Sequence, residues 1–289
     1  MPTKLEPLKL PDGAAIFLRE WTVPEGVARR GSLLLVHGLG EHSARYAHVG
    51  ERLASLGLHV RGYDHRGHGE SSGPRGGVPH PDALLDDLRA VFDDLGATAA
   101  EAGDGAPPFL LGHSLGGATA ARAATGGWVT PRGLILSSPA LRISPGPVES
   151  GLLAVARRLA PDRGFPNRLP VDKLSHDPRE VAAYRADGLN HDRITPRLYD
   201  FLADAGAAAR RDAERFTVPT LLLVAGADAL VDARGSRELS AALPAGVGTL
   251  HWYDGLYHEL FNEREPDRTL VLDDLAAWLE ERLGGVRPS

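Results

Sequence analysis

The chain has 289 residues, 43% of them hydrophobic, which is enough for one sizeable core, so we expect a single domain over 1–289. It contains no cysteine, which excludes disulfides, thiolate metal sites and a cysteine nucleophile, and its formal net charge of −6 argues against a nucleic-acid partner. The N-terminal stretch lacks the apolar core of a signal peptide, and no later stretch is as long as a membrane helix, so we expect a cytoplasmic protein.

Strand patterns alternate with helix patterns along most of the chain. Residues 14–22 alternate apolar and polar after a turn, which predicts an edge strand of an antiparallel pair. Continuous apolar runs then predict buried parallel strands at 32–37, 58–63, 109–111, 133–137, 220–225 and 249–253. Helical spacing predicts helices at 46–56, 82–100, 115–124, 236–243 and 267–283. This order indicates an α/β fold with a mostly parallel, doubly wound sheet.

The alternation stops once, between the strand at 133–137 and the strand at 220–225. Proline and glycine there separate short amphipathic helices, and one apolar helical face is formed by Leu152, Val155, Ala156 and Leu159. An insertion at this point would lie over the carboxyl edge of the sheet, where ligands bind in such folds. We therefore predict a helical cap over 140–215. Its apolar helix could pack inward or rest weakly on a membrane surface, and the sequence leaves this open.

The sequence Gly112-His113-Ser114-Leu115-Gly116 fits the G-x-S-x-G pattern of a sharp strand-to-helix turn. Only residues without a β-carbon can pack closely two positions to either side of the serine, and Gly112 and Gly116 occupy those positions. Ser114 is the predicted nucleophile. The N–H of Leu115, at a helix N-terminus, would face the oxygen of the group that Ser114 attacks. The pattern alone also fits a glycine-rich turn with an incidental serine.

A serine nucleophile needs a base and an acid. In α/β folds with this kind of turn, the acid follows the serine along the chain, and the histidine base follows the acid. Asp228 comes just after a predicted strand and is the preferred acid; Asp232 is the rival, but it precedes a helix and could be an N-cap. His258 follows the last strand and is the preferred base. His251 lies inside that strand, and His113 is expected to point away from the nucleophile.

A tetrahedral intermediate needs a second hydrogen-bond donor besides the Leu115 N–H. The loop His37-Gly38-Leu39-Gly40 follows a buried strand, and its glycine permits close approach, so we expect the Leu39 N–H to complete an oxyanion hole. The pair His65 and His68 lacks a third ligand at suitable spacing, so no metal site is expected. This machinery requires no cofactor.

With these residues in place, the chain resembles the monoacylglycerol lipase family of serine hydrolases in the α/β-hydrolase superfamily, a group also labelled lysophospholipase or serine aminopeptidase-like. The matching segments are 37–46, 62–71, 112–117, 137–140, 225–228 and 257–260. The resemblance implies an α/β-hydrolase fold and hydrolysis of a single fatty acyl ester from glycerol. It assigns the catalytic triad to Ser114, Asp228 and His258, and the oxyanion hole to the amides of Leu39 and Leu115.

The resemblance also implies that polar groups matching Glu41, Arg45 and Tyr184 line the glycerol end of the pocket. The chain departs from the family at Leu115, where methionine is usual. The first hypothesis is therefore a cofactor-free esterase acting on monoacylglycerols and similar short to medium acyl esters. A second keeps the triad but gives a lysophospholipase, thioesterase, broad carboxylesterase or aminopeptidase. A third is a non-catalytic ligand-binding protein on a hydrolase scaffold. Acyl length and oligomeric state stay open.

Overall fold

Eight strands form the main sheet within the residues that the computed structural model describes, which are 2–143 and 147–284, with side chains described from 151 onwards in the second range. The strands are β1 (Thr3–Lys4), β2 (Leu18–Trp21), β3 (Gly31–Val36), β4 (Leu58–Tyr63), β5 (Phe109–His113), β6 (Leu134–Ser137), β7 (Thr220–Ala225) and β8 (Gly248–Tyr253). Their spatial order is β1-β2-β4-β3-β5-β6-β7-β8. β3 to β8 are parallel, whereas β2 is antiparallel to both β1 and β4.

Helices connect these strands. They are α1 (Ala47–Ser55), α2 (Ala83–Glu101), α3 (Leu115–Thr125), α4 (Pro147–Leu159), α5 (Pro178–Ala186), α6 (Pro196–Arg211), α7 (Arg234–Ala242) and α8 (Asp267–Arg282). Single 3-10 turns span Ser43–Tyr46, Val171–Lys173, Ala213–Arg215 and Leu260–Asn262. Two short antiparallel pairs join Leu8–Lys9 to Ala15–Ile16 and Phe165–Pro166 to Arg193–Ile194.

Both faces of the sheet are covered, and strand β3 shows how. Leu33 and Leu35 point to one face, where they belong to a core that includes α1 and α8. Leu34 and Val36 point to the other face, into a core that includes α2, α3 and α6. All four side chains are fully buried, and burial of each such side chain stabilises the fold by about 1.5–3 kcal/mol. The continuous apolar runs arise because the strands face helices on both sides, and the predicted doubly wound α/β-hydrolase fold is confirmed.

The predicted edge strand at 14–22 needs a correction. Its antiparallel pairing is right, but β2 lies second in the sheet, because β1 pairs with its outer side. Every residue of β2 is buried, including Arg19 and Glu20. The polar positions are satisfied inside the protein, since Glu20 pairs with Arg61 at 2.6 Å and Arg19 with Glu70 at 3.2 Å. An alternating pattern therefore does not indicate solvent exposure here.

The predicted cap segment contains helices α4, α5 and α6. Its residues 144–146 lie outside the described residues. Helices α5 and α6 each begin with a proline after a capping side chain, Asp177 or Thr195, which accepts a hydrogen bond from the following backbone. Residues of α6, including Leu202 and Ala205, belong to the same core as α3. The part of the insertion that contains α6 therefore packs as a layer of the main domain.

Candidate active site

The backbone is strained at the sharp strand-to-helix turn that contains Ser114, which we call the elbow. Ser114 has φ 52° and ψ −116°, outside the ordinary regions for a residue with a side chain. A Cβ on Gly116 would lie 2.3 Å from the Val36 carbonyl oxygen, and a Cβ on Gly112 would lie 2.4 Å from the Gly116 oxygen. Both positions therefore need glycine for helix α3 to pack this closely on β3 and β5. The Ala118 N–H then donates to the Ser114 carbonyl at 3.0 Å, so the serine stands at the start of the helix.

One cavity of about 980 Å³ contains Ser114, His258 and Asp228 in its lining. Parallel register explains why they meet: Val36 lies beside Gly112, and Ala225 beside Tyr253, so the loops after these strands leave from one edge of the sheet. The cap supplies an apolar wall to the same cavity, formed by Leu152, Leu153, Val155, Ala156 and Leu159. The cavity is thus bounded by polar loops on one side and the cap on the other.

Asp228 fixes the imidazole of His258. Oδ2 of Asp228 lies 2.6 Å from Nδ1 of His258, and the two side chains are only 1% and 3% exposed. The other carboxylate oxygen accepts the N–H groups of Leu230 and Val231 at 2.8 and 3.0 Å. Because a carboxylate can only accept, the proton of a neutral His258 is assigned to Nδ1, which leaves Nε2 with a free lone pair.

The charges of this pair are mutually stabilising. Burial lowers the pKa of His258, but the charge and hydrogen bond of Asp228 outweigh burial and raise it above its ordinary value. Burial likewise raises the pKa of Asp228, and the interaction with His258 outweighs it, leaving the carboxyl below its ordinary value. Both shifts have the same sense: the pair favours an imidazolium beside a carboxylate, which is the charge state that a general base reaches during catalysis.

Ser114 and His258 share the cavity, but in the described structure the serine hydroxyl and the imidazole make no hydrogen bond to each other. Such contacts are often long in ligand-free active sites and tighten when substrate binds. The geometry therefore brings the predicted nucleophile to the same cavity as a fixed histidine-aspartate pair.

The rival residues Asp232 and His251 have other partners, although Asp232 also lines the cavity. Asp232 pairs with Arg142 at 3.0 Å and Arg234 at 2.7 Å. His251 lies on β8 and pairs with Asp274 at 3.0 Å. The expectation that His113 points away from the nucleophile is wrong, because its ring lines the cavity with its centroid 4.7 Å from that of His258. Burial and the nearby His258 lower the pKa of His113 to about 3, so this ring stays neutral beside the site.

The loop containing Leu39 is held on both sides of that residue. The Gly38 N–H donates to Oε1 of Glu41 at 2.6 Å, so this amide is already used. The Gly40 carbonyl accepts the His191 N–H at 2.9 Å and the Tyr184 hydroxyl at 3.2 Å, both from the insertion. The φ of Gly40 is 77°, a left-handed conformation that favours glycine. Leu39 itself lines the cavity.

Arg45 connects this loop to the loop of His258. Its guanidinium donates to Glu41 at 2.7 Å and forms a bidentate pair with Glu259 at 2.6 and 2.7 Å, beneath the ring of Tyr184. Burial would raise the pKa of Glu259, but the charge and hydrogen bonds of Arg45 outweigh burial and hold that pKa below its ordinary value. Glu41 and Tyr184 line the cavity, whereas Arg45 is not among the lining residues. Two of the three residues expected at the glycerol end of the pocket, Glu41 and Tyr184, therefore reach the cavity, whereas Arg45 lies behind Glu41.

A cluster of buried histidine rings lies beside this loop. The His37 ring is 4.6 Å from that of His65 and 5.5 Å from that of His68, and the His68 ring is 4.5 Å from that of His191. Burial lowers the pKa of His37 to about 3 and that of His191 to about 4, so these rings are neutral near pH 7. In the described ranges, no three histidine or carboxylate side chains form a metal-binding group.

Fold and site together define an α/β-hydrolase, with a strained serine at the elbow after the fifth strand, an acid after the seventh and a histidine after the last. The family model for serine aminopeptidase, S33, matches residues 28–265, and the chain belongs to this family. Among the described helices, none combines the length and the apolarity needed to cross a membrane.

Known lipases resemble the chain over most of its length. The monoacylglycerol lipase of Mycolicibacterium smegmatis is 36% identical over 259 residues, covering 88% of this chain and 89% of that protein. Rat monoglyceride lipase is 32% identical, covering 94% and 89%. The crystal structure of Paleococcus ferrophilus monoacylglycerol lipase superposes with a TM-score of 0.82 at 34% identity, covering 92% of this chain and 99% of that one. The expected family relationship is confirmed, and the protein is a carboxylic ester hydrolase.

Proposed function

We propose that this chain hydrolyses monoacylglycerols to a fatty acid and glycerol through an acyl-enzyme formed on Ser114. The observation that carries the proposal is the 2.6 Å contact between Asp228 and His258, buried at the wall of a cavity that Ser114 also lines. The similarity to monoacylglycerol lipases of three organisms supports the choice of substrate.

The proposed reaction begins when Nε2 of His258 takes the proton of the Ser114 hydroxyl, whose oxygen attacks the ester carbonyl. The N–H groups of Leu39 and Leu115 would donate to the oxyanion. As the intermediate collapses, His258 returns the proton to the departing glycerol oxygen. Water, deprotonated by His258, then attacks the acyl-enzyme, and Ser114 recovers its proton as the fatty acid forms. Asp228 stabilises the imidazolium in both halves.

The two ends of the cavity suit the two parts of such a substrate. The apolar wall from α4 would cover the acyl chain, because burial of each methylene contributes about 0.8 kcal/mol. Glu41 and Tyr184 would face the glycerol hydroxyls. Arg45 would act at this end indirectly, by holding the carboxylate of Glu41 in place.

Replacing Ser114 with alanine tests the mechanism. We expect Ser114→Ala to abolish turnover of monoacylglycerols and p-nitrophenyl esters while the unfolding transition stays cooperative, because only the nucleophile is lost. Ser55→Ala, which changes a serine at the exposed end of α1, is the matched control and should retain full activity. Undiminished hydrolysis by Ser114→Ala would refute the proposal, and a fluorophosphonate that fails to label the native protein would favour a non-catalytic binding protein.

A substrate panel tests the acyl acceptor. It compares a series of monoacylglycerols with lysophosphatidylcholine, acyl thioesters, p-nitrophenyl esters and aminoacyl amides, and we expect the highest kcat/KM for monoacylglycerols. A higher value for a choline lysolipid, a thioester or an amide would replace the proposed substrate by a lysophospholipase, thioesterase or aminopeptidase assignment. Equal values for all carboxylic esters would indicate a broad carboxylesterase.

The cap would also meet lipid aggregates weakly through α4, where Leu152 is 62% and Leu159 is 76% exposed. Arg157 and Arg158 on the same helix would lie near anionic head groups. Flotation with anionic liposomes tests this contact, and a protein that stays wholly at the bottom of the gradient excludes it. The expected cytoplasmic location likewise stays a prediction, to be checked by cell fractionation.

A further inference from the structure

A segment of the cap runs along the loop that contains His258. We call residues 173–177 the cap strap and residues 257–263 the histidine loop. The Glu259 N–H donates to the Leu174 carbonyl at 2.8 Å, and the Ser175 hydroxyl donates to the Asn262 carbonyl at 2.7 Å. These contacts join a part of the cap to a loop more than 80 positions later in the chain, immediately after the catalytic histidine.

Glu263 is the centre of the contact. Its side chain is 0% exposed, and its carboxylate accepts four N–H groups. Two come from His176 of the cap strap, the backbone N–H at 3.0 Å and Nδ1 at 2.9 Å. The others are the backbone N–H groups of Tyr257 at 2.7 Å and of the adjacent Arg264 at 3.4 Å. Removing a buried carboxylate from water costs several kcal/mol unless such donors replace the water. The conformation of both segments is therefore tied to this side chain.

Tyr257, the residue before His258, is also covered from the cap side. The His176 ring stacks on the Tyr257 ring with centroids 3.6 Å apart and planes at 22°. Nζ of Lys173 donates to the Tyr257 hydroxyl at 2.9 Å. The main chain is thus fastened on one side of His258 through Tyr257 and on the other through Glu259.

This fastening complements what Asp228 does. The aspartate holds Nδ1 of the imidazole, but the direction of Nε2 also depends on the backbone to which the ring is attached. A displacement of about 1 Å of a catalytic group can cost about 100-fold in rate. Neither Glu263 nor His176 is among the residues lining the cavity, so their effect on the reaction would pass through the histidine loop.

We propose that Glu263 is a positioning residue for His258, and that the cap strap, through His176, holds the catalytic histidine in its working orientation. This inference rests on the proposed triad. The cap would then have two roles, to cover the acyl chain and to complete the histidine loop.

The test compares kcat per labelled active site between the native protein and the variants Glu263→Gln and His176→Ala. Sites are counted by the final extent of fluorophosphonate labelling, so that misfolded molecules do not enter the rate. We expect kcat per site to fall about 10- to 100-fold in Glu263→Gln, with KM changing by less than about threefold. The loss should appear for a monoacylglycerol and for the p-nitrophenyl ester of the same acid, because His258 activates Ser114 and water in both reactions. It should be at least as large for the monoacylglycerol, whose glycerol oxygen also receives its proton from His258.

His176→Ala keeps the test informative if Glu263→Gln fails to fold, because the His176 side chain is 25% exposed and easier to remove. It should show the same kind of loss, and His176→Asn should restore most of kcat, since the asparagine amide can donate where Nδ1 does. Glu265→Gln is the matched control: that carboxylate bonds Arg268 and Thr269 in contacts exposed to solvent, and kcat should not change.

A kcat per site within about twofold of the native value in both Glu263→Gln and His176→Ala would overturn the positioning role. A loss confined to glycerol esters, with the p-nitrophenyl ester turned over at the native kcat, would also overturn it, because His258 must activate Ser114 in both reactions. These outcomes are distinct from failure of the triad, which would appear as activity in Ser114→Ala or as no labelling of the native protein.

Discussion

Asp228 and Asp232 are four positions apart and have the same side chain, yet their surroundings give them different chemistry. Asp228 is buried against His258, whereas Asp232 balances two arginines near the surface. We expect Asp228→Asn to lower kcat by about 10⁴-fold, because an amide cannot hold the required tautomer or stabilise the imidazolium. Asp232→Asn is the matched control and should stay within about threefold of the native kcat, since surface pairs contribute little. The reverse ranking in steady-state kinetics would assign the acid to Asp232.

At the scale of single residues, candidates could be selected from the sequence where a side chain follows a strand end. Ser114, Asp228 and His258 could be selected because the local pattern and the strand order both constrain them. Their arrangement as a working triad is supported by the geometry and stays a prediction until it is tested. The contact of Arg45 with Glu259 could not be predicted, because 214 positions separate the two residues and neither carries a local signal.

The orientation of His113 was also beyond the sequence. Alternation along a strand indicates which face a side chain takes, but at the last residue of β5 the chain turns sharply into the elbow. The ring consequently lies beside His258 in the cavity. Gly38 leaves room for the ring, because a Cβ at that position would lie only 3.3 Å from it.

At the scale of elements, the approach of helix α3 to strand β3 is set by glycine. A Cβ on Gly116 would meet two backbone carbonyl oxygens, at 2.3 and 2.5 Å, and neither can move without shifting β3. We expect Gly116→Ala to destabilise the protein by about 3 kcal/mol or more in urea unfolding. Gly96→Ala on α2 is the opposite case. Among the described residues, none outside its own helix backbone comes within 4 Å of a Cβ added there, so the better helix propensity of alanine should stabilise by about 0.5–1 kcal/mol. Equal effects of the two substitutions would contradict this packing.

Strand existence and spatial order have different sources. Each buried strand was predictable from its own apolar run, and Leu58–Tyr63 and Thr220–Ala225 match the predicted bounds. Which strands lie side by side could not be predicted in this way. β4, for example, lies between β2 and β3, and such an order depends on the crossover connections. The misplaced edge has a similar cause. β1 consists of two exposed residues, Thr3 and Lys4, whose pattern gives no sign that they cover β2.

At the scale of the whole molecule, buried neutral histidines make stability depend on pH. Burial holds the pKa of His37 and of His113 at about 3, and those of His65 and His68 well below their ordinary value near 6.5. Below that value the unfolded chain binds protons that the folded protein excludes. Each such histidine therefore lowers the free energy of unfolding by about 1.4 kcal/mol per pH unit as pH falls. His258 has the opposite shift: its contribution is lost as pH rises through its folded pKa and is fully present below its unfolded pKa, so it opposes this slope only near and above that unfolded value.

Urea unfolding at about pH 7 and about pH 5.5 should thus show a marked loss of stability at the lower pH, above the range in which carboxylates titrate. His68→Asn should reduce the slope of the free energy of unfolding against pH by the contribution of one histidine, whatever its effect on the stability at a single pH. A free energy of unfolding that stays constant between the two conditions would mean that these rings already take up protons in the folded protein.

The carbonyl of Gly40 accepts two hydrogen bonds from the insertion, one from Tyr184 and one from His191, in the loop whose Leu39 amide is proposed to bind the oxyanion. A cap that lifts far enough to admit a long acyl chain would have to give up these bonds, and with them the ordered loop. Binding and cleavage would then occur in different states of the protein. An ester that enters while the cap is lifted would remain intact until the cap closes over it. Release of the fatty acid would require the cap to lift again, which would return the enzyme to the form with a disordered Leu39 loop.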